Sequence, residues 1–179
     1  MKKKILILSG SPRKEGNSDL LADEFEKGAK ESGHEVEKIR VAEKDIGYCK
    51  ACYFCKRNSG RCIQEDDMEN ILQKMIDSDV IVFATPVYFY SIDAQLKTLI
   101  DRTVARWTEV KDKEFFYLIT CADEERNACN VTLACLRGYA DCVERAKEVG
   151  YIFGTGVYEK GTIRNRKEMN EAYLAGKNI

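Results

Sequence analysis

The chain has 179 residues, with 29 Lys and Arg against 30 Asp and Glu and a formal charge of -1, a length that suits one unit with a sizeable core. So even a balance leaves no basic field to gather nucleic acid or anionic lipid, and no apolar run reaches the roughly 20 residues of a membrane span. The opening MKKKILILSG has too short an apolar core for an export signal, so a cytoplasmic protein is expected, whose eight cysteines serve metals, clusters or redox chemistry rather than disulfides.

Ile5 to Leu8 is wholly apolar and predicts a strand buried on both faces. Ser9, Gly10, Ser11 and Pro12 break that pattern. Asn17 then reads as the N-cap of a helix over about 17–32, whose Leu21, Phe25 and Ala29 recur at helical spacing. A strand, loop and helix in this order aim unpaired N–H groups and the positive end of a helix dipole at one point, beside Ser11, Arg13, Asn17 and Ser18. Five residues, not four, separate Gly10 from Gly16, Asn17 stands where a triphosphate loop carries Lys, and the dinucleotide pattern of three glycines is absent. Such a nest without a magnesium ligand suits a terminal monophosphate. The plainer reading of the same residues is a polar turn before a surface helix.

Gly33 ends the first helix, and the mixture of charge and apolar residues over Glu35–Val41 predicts an edge strand. A cysteine-rich loop, about 45–65, precedes a helix opened by Asp66 or Asp67 and carrying Met68, Ile71, Leu72, Met75 and Ile76. Asp79–Thr85 predicts a central strand, Val87–Ser91 a loop after Pro86, and about 93–105 a helix. Then come a strand over Glu114–Cys121, a helix over about 127–148, a strand over Tyr151–Val157 and a last helix from Glu168. Strands alternating with helices imply a parallel sheet with right-handed crossovers, in the doubly wound order 2-1-3-4-5. Ligands bind such sheets at the switch point between strands one and three, where loops 9–18 and 86–91 meet with 121–126 alongside. An anion nest beside Pro86, Val87, Tyr88, Phe89 and Tyr90 suits a flat conjugated ring on a phosphorylated tail. The alternative is an aromatic loop that covers the sheet end or a dimer contact. A phospho-receiver switch with the same sheet order would need acidic residues where Ser9-Gly10-Ser11 and Thr85-Pro86 stand.

Cys49, Cys52, Cys55 and Cys62 place four thiols in one loop, three of them at consecutive x2 spacing. Zinc ribbons pair two knuckles across a long spacer, so the pattern favours an iron cluster over zinc, with free thiols or a redox disulfide as the third reading. Val131, Cys135, Gly138 and Cys142 recur at helical spacing, which predicts Cys135 and Cys142 in the core; Cys121 reads as a buried strand cysteine and Cys129 has no assignment. His34 is the sole histidine and follows a turn glycine, so a Cys/His or Ser/His/Asp nucleophile arrangement has no support.

SGSPRKEGNSDLL followed by TPVYFYSIDAQLKTLIDR resembles the NADPH-dependent FMN reductase group of flavodoxin-like proteins, and the cysteine loop resembles that of the iron-sulfur flavoproteins within it; together they span roughly residues 4–105. The resemblance implies an α/β flavodoxin-like three-layer sandwich, residues 1–179 forming a single FMN-binding domain with the cysteine loop inserted at about 45–65. It implies FMN, with the phosphate on Ser11, Arg13, Asn17 and Ser18 and the isoalloxazine against Pro86, Val87, Tyr88 and Phe89. Lys97, Asp101 and Arg102 would sit near the flavin and a subunit interface, the alternative being an ordinary exposed helix face. A 4Fe-4S cluster would take Cys49, Cys52, Cys55 and Cys62. The function implied is an FMN-dependent oxidoreductase passing electrons from NAD(P)H to a small acceptor such as a quinone or flavin; the flavin carries the chemistry, so no catalytic side chain is named. One alternative is an FMN/iron-sulfur carrier exchanging electrons with ferredoxin-type protein partners, and a second is a zinc-stabilised interaction module. The apolar strand Tyr151–Val157 needs cover from the last helix or from another subunit, which predicts a homodimer or homotetramer.

Overall fold

In a computed structural model that describes residues 1–179, five strands pair in parallel: β1 (Lys4–Ser9), β2 (Glu35–Arg40), β3 (Val80–Pro86), β4 (Glu114–Thr120) and β5 (Lys147–Gly154). Their order is β2-β1-β3-β4-β5, as the alternation of elements predicts. Side chains of successive strand residues leave opposite faces, so each strand feeds two cores. Ile5, Ile7, Val80, Val82 and Leu118 meet the helices α1 (Asn17–Glu31) and α6 (Lys167–Asn178) on one side. Leu6, Leu8, Ile81, Phe83 and Ile119 meet α3 (Met68–Asp77), α4 (Ala94–Arg102) and α5 (Asn130–Asp141) on the other; α2 (Phe54–Arg57) is a single turn within the cysteine loop. No helix is long and apolar enough to cross a membrane.

The charges of β2 are engaged as well as tolerated. Lys38 and Arg40 lean onto α1 and pair with Asp19, Lys38 pairing with Asp23 too. Burial works against the Lys38 ammonium, yet the hydrogen bonds and charges of the two aspartates hold it above its ordinary value.

Several expectations are corrected. The helical pattern read over about 127–148 stops at Asp141, and the last strand begins at Lys147 rather than Tyr151. Residues 142–146 form a turn, and a register shift between Phe115 and Phe116 lets β5 absorb an extra residue against β4, so polar Lys147 and Glu148 run on as an edge. Cys135 and Cys142 are exposed: the face of α5 that is buried carries Thr132, Leu133, Leu136, Tyr139 and Ala140. The final helix packs chiefly along α1 and also reaches β5, where Ile152 shares a core with Ala172; the outer side of β5 stays partly exposed at Val149 and Tyr151, with Arg137 stacked on Tyr151 and forking Glu148.

Candidate functional site

Segments 11–18, 86–88, 120–122 and 157–160 converge beyond the carboxyl ends of β1, β3 and β4 and enclose a cavity of about 130 Å³. Its floor is the turn between β1 and α1. Asp19, inside the first turn of α1, accepts from Ser9 Oγ at 2.8 Å and from the Glu15 N–H at 3.0 Å, and Lys38 and Arg40 neutralise it. Gly16 is required by close approach, because a Cβ there would stand 2.8 Å from Ser11 Oγ and 2.9 Å from the Arg13 carbonyl. The first N–H groups of α1 have no acceptor within the helix, and Asn17 and Ser18, which open it, line the cavity.

Asn17 does not cap the helix, contrary to its position in the sequence; Gly16 takes the extended N-cap conformation without a side-chain bond. The Asn17 amide instead donates to the carbonyls of Val157 (3.1 Å) and Glu159 (2.9 Å) and accepts from the Ile163 N–H (3.3 Å). Arg13 donates to the Tyr158 carbonyl at 3.2 Å, and the Ser11 hydroxyl accepts from the Arg13 N–H at 3.2 Å. Ser18 Oγ is buried and has no hydrogen-bond partner. A buried hydroxyl without a partner is uncommon and disfavours the site as it stands, and this one belongs to a residue of the cavity wall. Two hydroxyls, a guanidinium and the Lys160 ammonium around a helix N-terminus form a donor set whose natural complement is a dianionic phosphate.

The aromatic wall is braced from below. Asp93 caps α4 by accepting from the Leu96 N–H at 2.9 Å and takes the Thr85 hydroxyl at 2.7 Å; burial pushes its carboxyl above the usual range. Tyr88 and Ser91 exchange backbone bonds of 2.9 and 3.0 Å around Phe89 and Tyr90, both at positive φ (49° and 61°), a type I′ turn built from residues that rarely adopt it. Pro86, Val87 and Tyr88 line the cavity, whereas the turn throws Phe89 fully into solvent, outside it. Thr120, Val157, Tyr158 and Lys160 were not foreseen in the lining. The only hint was the Gly154-Thr155-Gly156 break, since nothing local shows that the loop after β5 must cross back over the sheet to reach α1.

The four loop cysteines line a second cavity of about 170 Å³ together with Lys50, Lys56 and Arg102. Left-handed residues at Ala51, Tyr53 and Ser59 coil the chain around it. Arg102, buried, binds both oxygens of Asp66 (2.6 and 3.0 Å), the Gly47 carbonyl (2.7 Å) and Cys62 Sγ (3.5 Å), pinning the loop to the end of α4. Lys97 and Asp101 form an exposed ion pair of 2.6 Å. Donor chemistry suits a soft metal or cluster, while no three His, Cys, Asp or Glu side chains stand close enough to share one ion. Cys121 belongs to the first cavity, and buried Cys129 lies directly behind it.

Several relatives bear the name iron-sulfur flavoprotein, two of which show the extent of the match. One, from Archaeoglobus fulgidus, is 41% identical over 99 residues, 55% of this chain and 44% of that protein; the other, from Methanocaldococcus jannaschii, is 44% identical over 100 residues, 56% of this chain and 51% of that protein. The match therefore spans about half the length of these relatives. Among solved structures, an NAD(P)H:quinone oxidoreductase from Methanothermobacter marburgensis has a TM-score of 0.78 at 16% identity, covering 99% of this chain and 96% of that one. An FMN-dependent NADH-azoreductase from Bacillus anthracis in complex with FMN has a TM-score of 0.73 at 16% identity, covering 98% of each chain. At such identity the likeness shows the fold alone, and that fold is flavodoxin-like. The sequence profile described as NADPH-dependent FMN reductase matches residues 3–163, most of the chain, and the protein belongs to that family.

Proposed function

We propose that the chain is an FMN-dependent oxidoreductase that passes electrons from NAD(P)H to a small acceptor such as a quinone or a flavin. The observation that carries this reading is the unpartnered Ser18 hydroxyl in a cavity otherwise provided with cationic and N–H donors. Ser11, Arg13 and Ser18 would hold the phosphate, and Asn17 would act by tying the loop after β5 over it, since its amide is engaged there. A volume of about 130 Å³ suits the phosphate end of FMN and not the whole molecule. The ring would lie across the mouth, against Pro86, Val87 and Tyr88, where a small acceptor can reach it. Bound FMN supplies the redox chemistry, taking up electrons from a nicotinamide and releasing them to an acceptor. The chain's part is to fix the phosphate, exclude water from one face of the ring and set its orientation. We further propose a homodimer or homotetramer, in which the exposed Phe89 and Tyr90 beside the ring would meet a second subunit.

The test is Ser18→Ala. Its buried hydroxyl bonds to nothing in the protein, so the variant without FMN should melt no lower than the parent and up to several degrees higher, since an unpartnered polar group is removed. FMN affinity, followed by quenching of flavin fluorescence, should fall about tenfold, the worth of one hydrogen bond to a charged group. Equal affinity in the two proteins would remove the phosphate from this cavity.

A second reading, an FMN/iron-sulfur carrier serving ferredoxin-type partners, is favoured by the four cysteines on one cavity and by the names of the relatives. Protein purified without oxygen should then show broad brown absorbance over the two flavin bands, with iron and sulfide in equal amounts, and Cys52→Ser should lose both while keeping FMN. Zinc in place of iron would favour the interaction module, and rapid turnover with NAD(P)H would favour the reductase over the carrier.

A further inference from the structure

The chain's two buried thiols sit against each other beside the proposed flavin cavity. Cys121 follows the last residue of β4 and lines the cavity; Cys129 ends the short turn of 3-10 helix before α5. Their sulfurs are 3.3 Å apart, with Cys129 donating and Cys121 donating onward to the Asp123 carbonyl at 3.2 Å. A disulfide needs about 2.05 Å between sulfurs, so forming the bond draws the two sulfurs roughly 1.3 Å closer. The segment bearing Cys121 is fixed while this happens: its N–H donates to the Gly154 carbonyl (2.9 Å), its carbonyl accepts from Val157 (2.9 Å), and Gly156 N–H binds the Asp123 carbonyl (2.7 Å).

We propose that Cys121 and Cys129 are a dithiol–disulfide redox centre that exchanges two electrons with the flavin, Cys121 being the member nearer the ring. The proposal rests on the FMN reading above. In the oxidising direction the two S–H bonds break, one Sγ–Sγ bond forms, and two electrons and two protons pass to oxidised FMN; in the reducing direction reduced FMN returns the same two electrons and two protons and is itself oxidised. The division of labour is already present in the reduced pair. The hydrogen bond donated by Cys129 holds the Cys121 thiol below its ordinary value, and Cys129, which gives that bond and is buried, is held above. Cys121, the member of the pair that lines the cavity, is thus the one predisposed to ionise and attack. The other six cysteines are at least partly exposed and lie elsewhere, four in the loop of residues 45–65, Cys135 on the outer face of α5 and Cys142 just after it.

The experiment uses the FMN-loaded protein. Treatment with hydroxyethyl disulfide, removal of the reagent, alkylation and peptide mass spectrometry should yield Cys121 and Cys129 in one linked peptide, two hydrogens lighter than the reduced pair. Anaerobic photoreduction of this oxidised form should then consume two more electrons per protein than the same protein with its thiols reduced, and both cysteines should become alkylatable as the flavin bleaches. Absence of the linked peptide overturns the proposal, as does a link that survives complete flavin reduction. A chain that retains no FMN overturns the flavin reading and the exchange together, whereas bound FMN with an unreduced link overturns the exchange alone. All readouts are made on the native chain, so none depends on the folding of a variant.

Discussion

Gly176→Ala is expected to lower the melting temperature by about 6–12 °C, the effect of about 3 kcal/mol on a chain of this length. The cause is the crossing of α1 and α6. A Cβ on Gly176 would drive into the Phe25 carbonyl, with the carbonyl carbon at 2.9 Å and the Ala29 nitrogen at 3.1 Å; one on Gly28 would strike the Tyr173 carbonyl, with the Lys177 nitrogen at 2.9 Å. Backbone meets backbone at both points, so no side chain can turn aside and the helices must separate. Gly138 in α5 is the control: a methyl there meets nothing within 4 Å, so Gly138→Ala should instead stabilise by about 0.5–1 kcal/mol through helix propensity and unfolded-state entropy. Thermal melts followed by circular dichroism decide the matter. Equal melting temperatures for Gly176→Ala and Gly138→Ala would show that the helix crossing is loose.

Arg102→Ala should release the cysteine loop. The side chain is buried against Asp66 and holds the Gly47 carbonyl and Cys62 as well. Removing one partner of such a pair costs about 3–5 kcal/mol, because the other charge is left without compensation. The loss should appear locally, as amide exchange over residues 45–67 faster by about a hundredfold to several thousandfold, while the sheet exchanges as before. Any iron held by the loop should leave with it. The parent protein should reproduce the effect in acid. Burial would raise the Asp66 carboxyl, but the Arg102 bonds and the N–H groups of Gly47 and Met68 outweigh it and hold it below its ordinary value. A lowered carboxylate contributes stability that is present above its unfolded value, about pH 4, and is lost as the pH falls through the lower folded value. Loop exchange should therefore accelerate only below about pH 4 in the parent, and show no such step in Arg102→Ala. Slow exchange in the variant at neutral pH would mean that other contacts hold the loop.

These predictions differ in how far the chain announced them. Ile5–Leu8 and Val80–Ala84 could be read as buried strands because their apolar runs are continuous, and a parallel sheet with both faces covered demands that continuity. The Ser11 to Ser18 nest was legible for a similar reason: strand, turn and helix are contiguous, so the donors gather within one local unit. The Pro86–Tyr88 wall followed once the strand order was assigned, since that order decides which loops share a sheet end.

Where two periodicities competed, sequence reading chose wrongly. The stripe from Val131 through Cys135 to Cys142 is as regular as the buried one from Leu133 to Ala140, and only the position of β4 decides which turns inward. Asn17 has the type and place of an N-cap, yet the carbonyls of Val157 and Glu159, about 140 residues away, claim its amide. Lys160 in the cavity, Arg102 in the loop and the Cys121–Cys129 contact have the same origin. By itself the sequence determined the fold class, the strand order, the gathering of Ser11, Arg13 and Ser18 in the first turn and the grouping of four cysteines in one loop, because each is written in short-range pattern. Tertiary structure alone decided which side chains are already committed and which, like Ser18 Oγ, have no partner within the chain, because a hydrogen bond is fixed by distances of about 3 Å that segments far apart in sequence achieve only when packed.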